Sequence, residues 1–374
     1  MTDKYSRLIL ARDGFPFLGG SATFLYFLFE SIRERIPTSE YWNIVTPRLV
    51  ETGQRHYGPY WSNPRGLRPV RTFLVDGRRG WTDLRRALLR EPRTVVLSKS
   101  RKVTALFKKI APEVPVWHLT STCEIVKNAV AEGVYPSMES VIRALRAGKF
   151  SGARSPDETQ TLKSADRILC HTRGMKFWYY TFYPECREKI EEPTFWDYNL
   201  TRRQFRNLYP KTPWRRRPID LVFAATDWRR GEKNFPLMRR LCEHFAKRRR
   251  IVVFGFVPKP LPRGVICFDT MLQWDMVRTM MESKAVVCPS RYDEAPNVLF
   301  EAAESGANIV CSRNCGNYRL TDPQLTADLD FPDFVRKINT ALKRPFPPDT
   351  RLFESDDLRR WLIDRLGSRR AARS

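Results

Sequence analysis

Several things are scarce in this chain of 374 residues, and each scarcity closes off a class of protein. No stretch comes near the roughly 20 consecutive apolar residues that a bilayer-spanning helix needs. The longest apolar stretch near the start, Phe15 to Phe29, is broken by a Gly-Gly pair and a proline. It has neither a basic lead nor a small-residue cleavage site, so it reads as part of the fold and not as a signal peptide. Histidine occurs only four times and the eight cysteines stand singly, Cys311 and Cys315 being the closest pair, so no Cys/His grouping has zinc spacing. Cys170, Cys267 and Cys288 lie in apolar, strand-like contexts where a buried free thiol behaves as a small hydrophobe. A reducing, cytoplasmic compartment follows as the expectation. No divalent-metal motif of the Asp-x-Asp kind is expected, and neither an internal repeat nor a low-complexity tract is found.

Acids are scarce as well. Forty-one Asp and Glu face 66 Lys and Arg, a formal charge of +25. The excess is spread over several runs, among them Arg78-Arg79, Arg101-Lys102, Arg215-Arg216-Arg217 and Lys247-Arg248-Arg249-Arg250. Such a charge attracts polyanions, either an anionic membrane surface or nucleic acid. The remaining composition, 42% hydrophobic and 12% aromatic, is that of a folded globular protein. The length suits two domains of roughly 150–200 residues.

Apolar strand-like runs alternate with helical periodicity along most of the chain. Arg7–Ala11, Tyr41–Pro47, Arg71–Val75, Thr94–Ser98, Val114–His118 and Ala165–Cys170 read as strands, with helices predicted over 22–35, 82–89, 103–110 and 137–146. After the first strand the loop from Asp13 to Gly20 holds three glycines and a proline, then Ser21 can cap a helix. From Phe177 to Trp214 the alternation gives way to a stretch dense in aromatics and charge, read as an irregular connection with an insertion. It restarts with strands at Leu221–Ala225, Ile251–Gly255, Ala285–Cys288 and Asn308–Ser312, with helices predicted over 235–248 and 272–283. Two such βα series predict an α/β protein of two doubly wound, Rossmann-like domains, with ligands held at the carboxyl ends of the strands.

The run from Pro289 to Gly306 follows one of these strands and opens a helix. Asp293 and Glu301 stand eight positions apart, Glu294 and Glu301 seven, with Ala295, Pro296 and Asn297 between them at the start of the helix. Carboxylates there can accept two hydroxyl hydrogen bonds at once, and a helix N-terminus favours an anion. This suits a ligand carrying both sugars and phosphates. Glu304 reads as an ordinary helix acid.

The run resembles the carboxylate motif of the retaining glycosyltransferases of family 4, in which Pro-Ser is followed after two residues by Glu and after seven more by a second Glu. The first acid of that pair falls on Asp293 here, with Glu294 beside it. Register favours the former and residue type the latter. The resemblance implies a GT-B fold whose two domains face a cleft. It implies an N-terminal acceptor-side domain over 1–185, a connection over 186–217, a nucleotide-sugar domain over 218–350, and a C-terminal helix over 351–374 returning toward the first domain. It implies transfer of a sugar from a nucleotide-diphosphate donor to a hydroxyl, such as a cell-envelope or lipid-linked glycan. No cofactor and no metal are expected. The location expected is cytoplasmic, with a peripheral place on the cytoplasmic membrane face. The other reading is a basic protein of the same scaffold that binds or glycosylates nucleic acid.

Residue roles follow from the same likeness. The loop Asp227 to Asn234 is similar to the family's basic loop, which places donor-diphosphate neutralisation on Arg230 and Lys233, with Arg229 a close competitor. Cations there would oppose the charge that builds on the leaving diphosphate. Glu301 would take the ribose hydroxyls, Asp293 or Glu294 those of the transferred sugar, and Ala295, Pro296 and Asn297 would lie near the diphosphate. Gly19-Gly20 resembles a glycine loop that lets backbone approach that diphosphate. His118, at a strand end, would face the reacting sugar, or else serve as a hydrogen-bonded structural histidine. His171 reads as structural, His56 and His244 as surface.

Overall fold

In the computed structural model the chain is described over residues 5–13, 20–47, 71–120, 122–170, 172–191, 212–269, 273–316, 318, 321–346 and 357–366. It forms two compact units. The first takes in Met1–Ser121, Arg154–Leu200 and Ser355–Ser374, and the second Thr122–Ala153 and Thr201–Glu354. Gly19, His56, His171 and the aromatics Phe195, Trp196, Tyr198 and Tyr209 lie outside the described residues.

The first unit is built on a parallel sheet of β1 (Arg7–Arg12), β2 (Ser39–Val45), β3 (Arg71–Leu74), β4 (Thr94–Ser98), β5 (Val116–Leu119), β6 (Arg167–Leu169) and β7 (Ile190–Glu191). The seven strands lie in the order β3-β2-β1-β4-β5-β6-β7. Central strands of such a sheet are covered on both faces, which is why they are apolar without alternation. On one face Ile9, Ala11, Trp42, Ile44, Val96 and Val116 pack with Leu84 and Leu88 of the helix Gly77–Leu89 and Phe107 of the helix Arg101–Ile110. On the other, Tyr26 of the helix Gly20–Ile32 meets Tyr41 edge-on at 5.5 Å, and Trp361 of the helix Asp357–Leu366 meets Trp117 at 5.1 Å.

The second unit repeats the plan with β8 (Ile219–Asp227), β9 (Ile251–Phe256), β10 (Val265–Phe268), β11 (Ser283–Cys288), β12 (Asn308–Ser312) and β13 (Thr326–Ala327). Its six strands run parallel in the order β10-β9-β8-β11-β12-β13. Leu221, Phe223, Val253 and Val287 form a core with Met238 and Leu241 of the helix Phe235–Phe245 and Phe334 and Ile338 of the helix Phe331–Ala341.

Four readings of the sequence are corrected here. The stretch expected to be irregular from Phe177 begins inside a helix, Arg173–Phe182, capped by Thr172 and burying Met175, Trp178, Tyr179 and Phe182. Its aromatics are a helical face. Cys267 is exposed, because β10 is the outermost strand of its sheet. Arg217, counted in a basic run that would attract a polyanion, is not available to one. Its guanidinium is buried and donates to the carbonyls of Thr212, Ser283, Ser305 and Gly306 at 2.8–2.9 Å, and burial pulls it down to about 10. Glu304 is buried as well, and burial raises its carboxyl to about 7.

Candidate functional site

In the second sheet the strand order reverses between β8 and β11, and in open α/β sheets the carboxyl ends of the strands at such a point are where ligands bind. The loop after β8 carries Arg229, Arg230 and Lys233; the loop after β11 carries Asp293, Glu294 and Ala295. The two are tied together. Arg291 N–H donates to the Glu232 carbonyl at 2.8 Å, and the Asn234 amide donates to the Pro289 carbonyl at 3.1 Å. Asn234 holds a left-handed backbone (φ 62°, ψ 52°) at the start of the helix Phe235–Phe245, a conformation Asn tolerates better than most side chains.

A third loop, after β12, fixes Asp293 from the far side. Asp293 N–H donates to Asn314 O at 3.3 Å, and Gly316 N–H donates to Asp293 O at 2.8 Å. A Cβ on Gly316 would come within 2.0 Å of the Glu294 carbonyl oxygen, so glycine is required for this approach. Gly231 is constrained in the same way: a Cβ there would meet the Ala131 carbonyl at 2.9 Å, at the end of the helix Glu124–Ala131.

The side chains form pairs. Lys233 and Asp293, 15% and 18% exposed, are joined in an ion pair. Burial alone would pull the Lys233 ammonium down; the Asp293 carboxylate outweighs it and holds Lys233 above its ordinary range. Arg230 pairs with buried Glu232. Arg229, the competitor for the basic role, instead reaches back along the exposed surface to chelate Asp227 through two contacts of 2.8 Å. Those hydrogen bonds hold the Asp227 carboxyl below its usual range. Glu294 is buried and accepts a hydrogen bond from the Tyr292 hydroxyl at 2.9 Å. Glu301 is buried on the helix Asn297–Ser305, whose N-terminal turn follows Pro296 and takes no side-chain cap.

Of the residues singled out in the sequence, the structure thus gathers Arg230, Lys233, Asp293, Glu294, Ala295, Pro296, Asn297 and Glu301 in the second unit, on the loops after β8 and β11 and the helix that follows. His118 and Gly20 belong to the first. Gly20 is the first residue of its helix. His118 lies in β5, buried, sharing a hydrogen bond of 2.9 Å between its Nδ1 and Thr104 Oγ1. Burial, then the charges of Arg101 and Lys99, push its imidazole down to about 3, so it is neutral at physiological pH. Asn234, Tyr292 and Gly316 were missed. An Asn opening a helix and a Gly two residues after an Asn in the loop beyond β12 were the available signals.

Against the expectation that no Asp-x-Asp pattern is present, the chain holds one, Asp328-Leu329-Asp330, and both of its acids have structural partners. Asp328 pairs with exposed Arg313 at 2.8 Å, and Asp330 caps the helix Phe331–Ala341. Among the described residues no cluster of three or more His, Cys, Asp or Glu could hold a metal ion, and no helix is long and apolar enough to cross a membrane.

No family model and no curated protein sequence matches the chain. Solved structures do. Sucrose-phosphate synthase from Thermosynechococcus elongatus superposes with a TM-score of 0.59 at 13% identity, covering 98% of this chain and 96% of its own. An α-glucosyltransferase in complex with UDP and a 13-mer DNA gives 0.54 at 13% identity, over 96% and 92%. Anabaena HepE in complex with UDP-glucose gives 0.53 at 12%, over 96% and 95%. At such identities the likeness establishes the fold: two parallel-sheet α/β units of the GT-B type.

Proposed function

We propose that this protein is a glycosyltransferase that moves a sugar from a nucleotide-diphosphate donor to an acceptor hydroxyl, with retention of configuration. The observation that carries this reading is the Lys233–Asp293 pair at the β8/β11 switch point, with Arg230 beside it and Glu301 on the following helix. One buried-edge cation, one half-exposed cation and an uncapped helix N-terminus offer a diphosphate three kinds of positive charge. As the glycosidic bond breaks, negative charge grows on the departing diphosphate, and preorganised donors there act where it develops. Arg230 and Lys233 take that role without a metal ion, with Ala295, Pro296 and Asn297 alongside.

Glu301 accepts the ribose hydroxyls. For the transferred sugar, Asp293 is the better acid, because Glu294 is already engaged by Tyr292. Lys233 holds Asp293 in place through their ion pair. Donor-facing roles for His118 and Gly19-Gly20 rest on the family resemblance alone. The acceptor hydroxyl attacks on the face from which the diphosphate departs, and a phosphate oxygen receives its proton. The UDP-glucose bound by one structural neighbour and the sucrose phosphate named for another support the substrate class. The charge of +25 supports an acceptor reached at an anionic surface, a lipid-linked or envelope glycan on the cytoplasmic membrane face.

A thermal-shift panel of nucleoside diphosphates and their sugars tests the reading, since a ligand bound by the folded state raises the melting point. At least one diphosphate should do so, and Lys233→Ala should abolish the shift. A panel with no response, or an unchanged response in the variant, overturns it. Activity should survive a metal chelator. A second reading, sugar transfer to nucleic acid, draws on the same charge and on the DNA bound by one neighbour; a salt-dependent gel shift with sugar incorporation into DNA or RNA would favour it.

A further inference from the structure

The first sheet has a switch point too. Its order reverses between β1 and β4. Arg12 is the last residue of β1, and its partner in register on β2 is Asn43. On the other side Ala11 aligns with Ser98, the last residue of β4, so Lys99 is next to Arg12 in the same row. Residues in register on parallel strands share a face. Ile9 and Ala11 face the cluster around Phe107, so Arg12, Asn43 and Lys99 face the opposite way, toward the helix Gly20–Ile32. The Lys99 ammonium agrees, lying 4.4 Å from the centroid of Phe24 on that helix.

This row is polar and cationic, its Asn43 buried and its Arg12 and Lys99 partly exposed. Asn43 is 1% exposed, and both its amide nitrogen and its amide oxygen lack a hydrogen-bond partner among the described residues. The Arg12 Nε and Nη1 are likewise buried without one. Native proteins satisfy nearly all such groups, through protein, water or ligand. Arg12 forms no ion pair among the described residues, and its neighbour Lys99 feels it: burial, then the Arg12 charge, push that ammonium well below its ordinary range. Two neighbouring cations repel, and an oxyanion between them removes the repulsion. A planar guanidinium, an ammonium and an amide N–H together match the several lone pairs of a phosphate or carboxylate. The Asn43 carbonyl is left to accept from a hydroxyl next to that anion.

We propose that Arg12, Asn43 and Lys99 form a receptor for an oxyanion carried by the acceptor, so that the acceptor is an anionic sugar or glycan. The word acceptor rests on the glycosyl-transfer reading above; the receptor itself does not.

The test uses the full chain and four probes: inorganic phosphate, glucose 6-phosphate, glucuronate and neutral glucose, titrated calorimetrically at fixed ionic strength. Glucose 6-phosphate or glucuronate should bind saturably and far better than glucose, and the stronger of the two tells phosphate from carboxylate. Binding should persist in saturating UDP. Arg12→Gln and Lys99→Gln should each weaken it about tenfold or more while leaving UDP affinity unchanged, and Lys99→Arg should restore most of it. Without any anion, Arg12→Gln should melt at a higher temperature than the wild type, which also guards against mistaking an unfolded variant for a binding defect. The inference is overturned if no anionic probe binds saturably, if the glutamine variants bind as the wild type does, or if UDP displaces the probe. If the probe binds through Arg12 but no nucleoside diphosphate binds at all, the receptor stands and the transferase reading falls.

Discussion

The loops after β8 and β11 hold their cations against acids, Lys233 with Asp293, Arg230 with Glu232 and Arg229 with Asp227. At the ends of β1 and β4, Arg12 and Lys99 stand together, and Arg12 has no acidic partner among the described residues. Both sheets have the same strand order about their switch points, so topology does not make the difference. Chemistry does. A paired crevice is preorganised, its geometry and ionisation set before any ligand arrives. On the proposed reading, the row that holds Arg12 stores repulsion that an anion relieves, which trades stability for affinity. Substitutions should therefore have opposite effects on stability at the two places, and this is the sharpest way to break the comparison.

The largest effect is expected from Lys233→Ala. It leaves Asp293 without its partner and, on the proposed reading, removes a cation from the leaving group. Turnover should fall about 10²- to 10³-fold, in line with loss of one preorganised transition-state donor. Stability should fall by about 2 kcal/mol, less than for a fully buried pair because both members keep some exposure. Steady-state kinetics and denaturant melts measure the two. Near-wild-type turnover would refute the diphosphate role of Lys233, and a stabilised variant would refute the claim that this crevice is the settled one of the two. Next comes Gly316→Ala. Its methyl would sit 2.0 Å from the Glu294 carbonyl oxygen, so the loop carrying Asp293 must move by an ångström or so. A displacement of that size costs about 10²-fold in turnover when it moves a positioning group. Full activity in this variant would mean that the Asp293 loop does not position the chemistry.

How much of this could be read from the residues alone depended on range. Buried parallel strands such as Thr94–Ser98 announce themselves as short β-branched runs, and all the main strands of both sheets were legible for that reason. The strand β10, a four-residue edge, showed only as the strand-like context of Cys267. The helix Arg173–Phe182 was hidden because aromatics obscure a helical face that only burial reveals. The acids of the candidate site were legible through their eight-residue spacing. Their partners were not: Lys233 and Asp293 are 60 positions apart and meet only because β8 and β11 are neighbours. Nor does anything in residues 122–153 betray that they pack with the second unit, where Ala131 closes on Gly231. The row Arg12, Asn43 and Lys99 is of the same kind. Each residue is unremarkable in sequence, and register alone brings them together.

A smaller effect should come from Glu304→Gln. In the fold burial holds this carboxyl at about 7, against about 4.5 when unfolded. Below about pH 4.5 both states bind the proton and the shift has no effect. As pH rises from there toward 7 the unfolded chain releases its proton first, and stability declines by about 1.4 kcal/mol per unit. Glutamine, neutral throughout, should remove this slope and leave the variant about 3 kcal/mol more stable than the wild type above pH 7. Melting temperatures compared across pH 4.5 to 8 decide it. Parallel curves for the two proteins would mean that Glu304 finds compensation in the fold.

The first unit should answer acid with the other sign. His118 is neutral in the fold down to about pH 3, whereas an unfolded histidine takes a proton below about 6.5. Its contribution to stability is complete above that value and is lost as pH falls, at about 1.4 kcal/mol per unit, or roughly 2 kcal/mol by pH 5. Acidification over this window thus weakens the sheet that contains β5 while the protonation of Glu304 strengthens the one that contains β11. Native-state hydrogen exchange resolves the two, since amides of β4 and β5 report on the first unit and those of β11 and β12 on the second. Between pH 6.5 and 5, corrected protection should drop in the first pair and rise in the second, and His118→Gln should flatten only the former. A common response in both pairs would show that the units unfold together. A first-unit slope that survives the histidine substitution would assign it to other groups, and the contrast between the crevices would then rest on Arg12 and Lys99 alone.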